Sequence, residues 1–273
     1  MPVWKLTIEY EGTRYRGWQE QPDARTIAGE LRSASEKVLG GRVDITGAGR
    51  TDAGVHALAQ VARLSAARRL KPEQLQREIN AELPADINVL RVENAEPSFD
   101  PRRDATARYY LYQISRRRTA FAKRFVWWVR DDLNVEAMRK ASNLLSGQHD
   151  FANFCEGRDD KTSTIVVVER AELETAGDLI LFRIGASHFL WKMVRRIVGT
   201  IVEVGAGKLE ASVVERLLAP ARQGSRKRVA ELPFDVAAHT APPSGLFLEK
   251  VVYRRGEHLD HPKAACQVLS AEC

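Results

Sequence analysis

The amino-acid sequence predicts an α+β protein made of two split β-α-β (ferredoxin-like) units, with their antiparallel sheets side by side and an active-site cleft between them. One observation is that the order β-α-β-β-α-β occurs twice along the 273 residues. Another is the connection Pro97-Ser-Phe-Asp-Pro101, because prolines disfavour both helices and central strands. We therefore predict an N-terminal subdomain over residues 1–104, a C-terminal subdomain over 105–255 and a surface tail over 256–273.

The first predicted unit opens with a strand over Val3–Tyr10. A helix over about Ile27–Leu39 follows, because apolar residues recur there at helical spacing between the potential cap Thr26 and the terminating glycine Gly40. Pro72 predicts the first turn of a second helix. Short strands complete this unit over Val43–Thr46, Gln60–Ser65 and Ile87–Val92.

The second predicted unit repeats that order and opens with a strand over Arg108–Ser115. Its helices are predicted from Val135 to Ser146, with Asn134 as the cap, and over about His188–Val204. An extra helix is predicted near Ser212–Leu218. The remaining strands are predicted over Thr164–Leu173, Leu179–Gly185 and Leu246–Tyr253.

Composition narrows the class of protein. No apolar run approaches the roughly 18 residues of a membrane span, and the first ten residues are typical of a strand rather than a signal peptide. The three cysteines are widely spaced, unlike the disulfide framework of a secreted protein. We therefore predict a cytoplasmic protein with no membrane association.

Basic residues give a formal net charge of +6 and occur in clusters, such as Arg116-Arg117-Arg118 and Arg226-Lys-Arg228. Such clusters can follow a phosphate backbone, and they are equally compatible with ordinary solvated faces. Charge alone therefore leaves nucleic-acid binding open.

The segment Gly47-Ala-Gly-Arg-Thr-Asp-Ala-Gly54 lies between two predicted strands, so we expect a loop whose glycines permit tight turns. It lacks the G-x-G-x-x-G register of a dinucleotide site and the Gly-Lys-Ser/Thr of a phosphate loop. Taken alone, Asp52 would be interpreted as a residue that caps a turn.

Extended to Val55-His-Ala57, this segment resembles the active-site motif of the tRNA pseudouridine synthase A family. The resemblance continues in order along residues 3 to 253, with Glu11 replacing the usual Asp of the opening motif. The matching segments are Tyr10-Glu-Gly-Thr-Arg-Tyr-Arg-Gly-Trp-Gln19, Thr106-Ala-Arg-Tyr-Tyr-Leu-Tyr112, Gly147-Gln-His-Asp-Phe151, Phe189-Leu-Trp-Lys-Met-Val-Arg195 and Gly245-Leu-Phe-Leu248.

The resemblance implies an isomerase that converts uridine to pseudouridine at positions 38–40 of the tRNA anticodon arm, acts as a homodimer and needs no cofactor or metal. It implies that Asp52 is the catalytic carboxylate and that Arg195 is the cation that keeps it ionised. Tyr110 is implied to contact the target base, and Leu246 or Leu248 to form an apolar wall. Arg50, two residues before Asp52, is expected to follow the displaced strand, to fill the gap left by the flipped base or only to hold the loop.

Two alternatives stay open at this stage, and a metal enzyme is not expected. A non-catalytic structured-RNA-binding protein on the same fold would explain the basic clusters but leave Asp52 without a task. A carboxylate glycosidase would need a second acid, for which His149-Asp150 is a candidate. His258 and His261 with Cys266 and Cys273 have no recognised zinc spacing, so we expect no metal site there.

Overall fold

The computed structural model describes residues 1–157, 163–219, 234–254 and 259–265. The Arg226-Lys-Arg228 cluster, His258, Cys266 and Cys273 lie outside the described residues. Within them no helix is long and apolar enough to cross a membrane. The strands are β1 Val3–Tyr10, β2 Val43–Gly47, β3 His56–Ala66, β4 Ile87–Asn94, β5 Ala107–Ser115, β6 Trp127–Trp128, β7 Gly147–Asp150, β8 Ile165–Ala176, β9 Leu179–Ala186 and β10 Leu246–Val252. The α-helices are α1 Ile27–Leu39, α2 Pro72–Glu82, α3 Val135–Asn143, α4 Met193–Gly205 and α5 Ser212–Leu218.

The chain is a mixed α+β protein that divides into two compact units. The first consists of Met1–Arg108 with Phe247–Glu257, and the second of Tyr109–Leu246 with His258–Cys273. The last strand, β10, thus lies almost wholly in the first unit, whereas the sequence pattern placed it at the end of the second.

In the first unit β1 pairs antiparallel with β3 and β4, and β2 pairs antiparallel with β3. β10 pairs with β3 in parallel, through Phe247 opposite His56 and Leu248 opposite Ala57. The prediction of a purely antiparallel sheet is therefore wrong for this unit. The long β3 pairs with β10 through its first residues and with β2 through its last residues. β10 and β2 therefore share one edge of β3, and β1 pairs along the other edge.

The helices of the first unit confirm their sequence signals. Thr26 accepts a hydrogen bond from the Gly29 amide at the start of α1, and Gly40 ends the helix with a φ of 70°. Pro72 occupies the first turn of α2, where its missing amide hydrogen is no loss. The buried stripes on α1 and α2 contribute Ile27, Leu31, Leu75 and Ile79 to the core.

In the second unit the sheet order is β5-β9-β8-β7, with β6 added in parallel to β5. Two predicted helices have different limits. α4 begins at Met193 rather than His188, because Lys192 has a φ of 60°, which a right-handed helix cannot include. α3 ends at Asn143 rather than Ser146, and Gly147 with a φ of 105° then begins β7, a strand that the sequence analysis did not predict.

The described part of the predicted surface tail, residues 259–265, is anchored to the second unit. Asp260 and His261 are exposed, but Pro262 is buried. The buried guanidinium of Arg183 donates to the Asp260 carbonyl, and the Ala265 amide donates to the fully buried Gln113 side chain at 2.7 Å.

Candidate active site

Asp52 lies in the loop between β2 and β3, as predicted. Its carbonyl accepts a hydrogen bond from the Val55 amide at 3.2 Å, and Gly54 completes the tight turn with a φ of 78°. The side chain of Asp52 is half-buried and that of Arg50 is exposed. The loop thus presents a carboxylate and a guanidinium two residues apart, at the end of a strand whose own residues are mostly buried.

The opening motif forms the support behind this loop. The Trp18 amide donates to the Thr51 carbonyl at 3.1 Å, and the Gly54 amide donates to the Tyr15 carbonyl at 3.3 Å. Gly17, with a φ of 91°, lies against the loop backbone so closely that a Cβ atom there would be 2.5 Å from the Thr51 carbonyl oxygen. Only a residue without a side chain fits at position 17 against the backbone of the Asp52 loop.

Side chains reinforce this backbone contact. The buried hydroxyls of Tyr10 and Thr51 share a hydrogen bond of 2.8 Å, directly beside Asp52. The Trp18 ring covers Gly47, where a Cβ atom would be 2.5 Å from the ring. The residue before Asp52 is therefore held by both its backbone and its side chain.

A third motif reaches the same loop through Arg108. Its guanidinium is buried and donates to the carbonyl oxygens of Ala48 and Arg102, at 3.1 and 2.5 Å. From β3, which follows the loop, the Gln60 side chain donates to the Gly49 carbonyl at 2.9 Å. A buried charge is tolerated here because it satisfies several carbonyl groups at once.

His56 is a residue that the sequence analysis quoted within a motif without giving it a role. It is almost fully buried, its ring stacks on Phe247 at 4.8 Å, and its Nδ1 accepts a hydrogen bond from the Gly12 amide at 3.0 Å. Because Nδ1 is an acceptor, the ring proton is on Nε2 and the imidazole is neutral. The Glu11 carboxylate, 3.7 Å from Nδ1, instead accepts from the Thr13 amide and caps a short 3-10 helix.

In the second unit Tyr110 lies on β5 and is partly exposed. Its ring meets Phe189 edge to face, with ring centroids 5.0 Å apart. The adjacent Tyr109 points to the other face of the strand, covers Gly185 and donates to Glu169 at 3.3 Å. Of the two neighbouring tyrosines, Tyr110 is the more exposed.

Arg195 lies in the first turn of α4 and is bound to the segment before β10. Its Nε donates to the Ala241 carbonyl at 2.7 Å, and the Ala241 amide donates to the Arg195 carbonyl at 3.0 Å. One turn later, Gly199 leaves room for this segment, since a Cβ atom there would be 1.6 Å from the His239 carbonyl oxygen. The guanidinium of Arg195 therefore has a defined orientation.

Tyr112 and Leu246 complete this part of the second unit. The fully buried Tyr112 hydroxyl donates to the Pro242 carbonyl at 2.7 Å, and Gly245 packs against the Tyr112 ring. Burial raises the pKa of Tyr112 well above its usual value, and the nearby positive charge of Arg195 opposes that rise. Leu246 follows directly and is buried, as is Leu248.

The two arginines in the motif around residue 195 have different surroundings. Arg196 is buried and pairs with Glu156 at 2.8 Å, and Lys192 pairs with the same carboxylate at 2.7 Å. The hydrogen bond from Lys192 is the main cause that lowers the pKa of Glu156. Lys192 and Arg196 thus share the single carboxylate of Glu156, while Arg195 is directed towards Ala241.

The glycosidase alternative depended on Asp150 as a second acid. Its Oδ1 accepts hydrogen bonds from the Ala152 amide at 3.0 Å and the Thr164 hydroxyl at 2.6 Å, and His149 contacts the Ser146 carbonyl at 2.9 Å. These are the contacts of a structural turn.

Among the described residues, no group of three or more His, Cys, Asp or Glu side chains has an arrangement that could hold a metal ion.

Comparison with known proteins agrees with the motifs. A family model described as tRNA pseudouridine synthase matches residues 6–102 and 141–254. The tRNA pseudouridine synthase A of Myxococcus xanthus is 42% identical over 259 residues, which cover 94% of this chain and 94% of the relative. The proteins of the same name from Thermosipho africanus and a Geobacillus species are 40% and 39% identical, covering 93% and 91% of this chain and 100% and 97% of their own.

Among solved structures, a Cbf5–Nop10–Gar1 complex matches 72% of this chain and 54% of its own chain, at 12% identity and a TM-score of 0.29. A similarity this low carries no argument about the chain.

Proposed function

The chain belongs to the tRNA pseudouridine synthase A family, and we propose that it isomerises uridine to pseudouridine at positions 38–40 of the tRNA anticodon arm with Asp52 as the catalytic carboxylate. The observation that carries this proposal is the support around Asp52. Residues from the opening motif and from the motif containing Arg108 hold the backbone of the Asp52 loop at several points. A carboxylate held on a rigid loop is suited to act at one position of a substrate.

The reaction breaks the N1–C1′ bond, turns the uracil and joins C5 to C1′, with the proton of C5 released to solvent and a proton taken up at N1. A carboxylate can stabilise cationic character at C1′, attack a carbon of the nucleotide or move a proton, and each role requires an ionised Asp52. We propose that Arg195 supplies the compensating positive charge and that Tyr110 contacts the base. Leu246 provides an apolar wall and Arg50 contacts the displaced strand.

The same proposal includes the two ferredoxin-like units predicted from the sequence. It also includes a homodimer that acts on tRNA in the cytoplasm, without a cofactor or metal. The homodimer is implied by the resemblance of the motifs to the family, whereas the cytoplasmic location is inferred from composition and the two units from the order of elements.

The test is to incubate the protein with tRNA carrying 5-tritiated uridine and then to map pseudouridine. We expect tritium release, pseudouridine in the anticodon arm and no free uracil. Asp52→Asn should abolish release while tRNA binding persists. Asp44→Asn is the matched control, because Asp44 is exposed on β2 and pairs with Arg63 at 3.2 Å.

Each alternative has its own outcome in this experiment. Free uracil would indicate a glycosidase, and tRNA binding without tritium release by the wild-type protein would indicate a non-catalytic RNA-binding protein. Pseudouridine found only outside the anticodon arm would refute the proposed specificity.

A further inference from the structure

The loop between β5 and β6, residues 116–126, combines positive charge with an exposed aromatic ring. It contains three consecutive arginines, a Lys-Arg pair and no acidic residue. Phe121 lies between these two groups of cations and is 89% exposed. A phenylalanine this exposed is unusual in a folded domain, where it would ordinarily be buried.

The loop is held in this form by hydrogen bonds to its own strand and turn. The Ser115 hydroxyl donates to the Arg117 carbonyl at 2.7 Å, and the Gln113 side chain donates to the Phe125 carbonyl at 2.8 Å. The Phe125 amide donates to the Ala122 carbonyl at 2.8 Å. Ala122 is buried, so its neighbour Phe121 is directed outward by a fixed backbone.

The cations around Phe121 are partly committed to local contacts. Arg117 pairs with Asp178 at 2.6 Å, and Arg116 donates to the Gly177 carbonyl at 2.7 Å. The guanidinium of Arg118 lies 5.7 Å from the ring of Trp128, which is itself 41% exposed. The surface therefore offers two exposed aromatic rings within a region of positive charge.

The combination of exposed aromatic rings and positive charge favours RNA over an apolar protein as the partner of this surface. Unpaired bases stack on aromatic side chains and on guanidinium planes, while phosphates are attracted by the surrounding cations. An apolar partner protein would bury Phe121 but would leave the charges of the loop without compensation. A polyanion with flat rings satisfies both features.

We propose that residues 116–128 form a second RNA-binding surface, on which an unstacked base of the tRNA lies against Phe121 and neighbouring phosphates contact Arg118 and Lys123. The inference rests on the proposed function. Because Ser115 is five residues beyond Tyr110 on β5, the surface begins roughly 16 Å from that residue at about 3.3 Å per residue of strand. It therefore binds a part of the tRNA other than the target uridine.

The test compares tRNA affinity and turnover for Phe121→Ala and for Arg118→Ala/Lys123→Ala with the wild-type protein. Loss of one stacked base should raise the Kd of Phe121→Ala for tRNA roughly 5- to 100-fold. Removing two cations should lower the slope of log Kd against log salt by roughly 1.4–1.8, at about 0.7–0.9 per phosphate contact. The KM for tRNA should rise together with the Kd in both variants.

Two control variants separate this surface from general effects. Leu90→Ala removes an exposed apolar side chain from β4, and Arg139→Ala removes a half-exposed arginine from α3. Neither should change the Kd. An unchanged Kd for Phe121→Ala, or an equal change in the controls, would overturn the proposal.

The oligomeric state, measured by light scattering, supplies a further decisive result. If Phe121→Ala dissociates a dimer formed by the wild-type protein, the surface is an interface between copies of the chain and the proposal is overturned. Wild-type protein that binds tRNA without making pseudouridine would refute the proposed function, and the Kd comparison would still decide the surface.

Discussion

A methyl group added at Gly17 tests whether the opening motif supports the Asp52 loop. Gly17 is buried, has a φ of 91°, and faces the backbone of Thr51, Asp52 and Ala53. A Cβ atom there would lie 2.5 Å from the Thr51 carbonyl oxygen, about 0.9 Å inside an ordinary van der Waals contact of 3.4 Å. Because the nearest atom belongs to the backbone, the loop itself must move.

Two free-energy effects combine in Gly17→Ala. A left-handed conformation costs an alanine about 1–2 kcal/mol, and overpacking against the loop adds about 1–3 kcal/mol. The displacement of the Asp52 backbone has a separate effect on the reaction, since a misplacement of about 1 Å can lower a catalytic rate roughly 100-fold. We expect both a lower melting temperature and a kcat reduced roughly 100-fold.

Gly40→Ala is the matched control for this prediction. Gly40 has a comparable φ of 70° at the end of α1, but nothing lies within 4 Å of the position of its Cβ atom. The control should therefore lose about 1–2 kcal/mol of stability and keep the wild-type kcat. Tritium release at saturating tRNA and thermal unfolding measure the two effects separately.

The reasoning fails if Gly17→Ala retains the wild-type kcat, because the loop would then tolerate the added methyl group without moving Asp52. It also fails if Gly40→Ala loses as much activity as Gly17→Ala. In that case a general loss of stability, rather than local displacement, would explain the result.

Three further predictions follow from contacts in the two units. Tyr10→Phe removes the hydroxyl that shares a hydrogen bond with the buried Thr51 hydroxyl, and it should lower the free energy of unfolding in urea by about 1–3 kcal/mol. An unchanged urea midpoint would show that this hydrogen bond does not stabilise the fold. Gly199→Ala should destabilise the protein by about 3 kcal/mol and lower kcat, because the His239 carbonyl must move away from the helix that carries Arg195. Glu156→Gln should lower the melting temperature at pH 7. This difference from wild type should disappear as the pH falls through the lowered pKa of Glu156, because a carboxyl with a lowered pKa stabilises the fold only while it is ionised. A difference that persists at acid pH would contradict this assignment.

The sequence by itself determined the family, the candidate carboxylate and most elements of secondary structure. Thr26, Gly40 and Pro72 act locally, through a cap, a left-handed glycine and a first-turn proline, so α1 and α2 could be predicted from them. The limits of α4 could not, because hydrophobic spacing does not reveal the left-handed conformation of Lys192.

The tertiary structure decided what surrounds Asp52. Gly17, Tyr10 and Arg108 were visible in the sequence only as letters of motifs, and their contacts with residues 48–54 join segments that are 34 to 60 residues apart. The parallel pairing of β10 with β3 and the hydrogen bond from the Gly12 amide to His56 also join segments that are distant in the sequence. Local spacing records which conformation a segment prefers, whereas these contacts depend on how distant segments pack, which is the physical reason that the sequence pattern did not contain them.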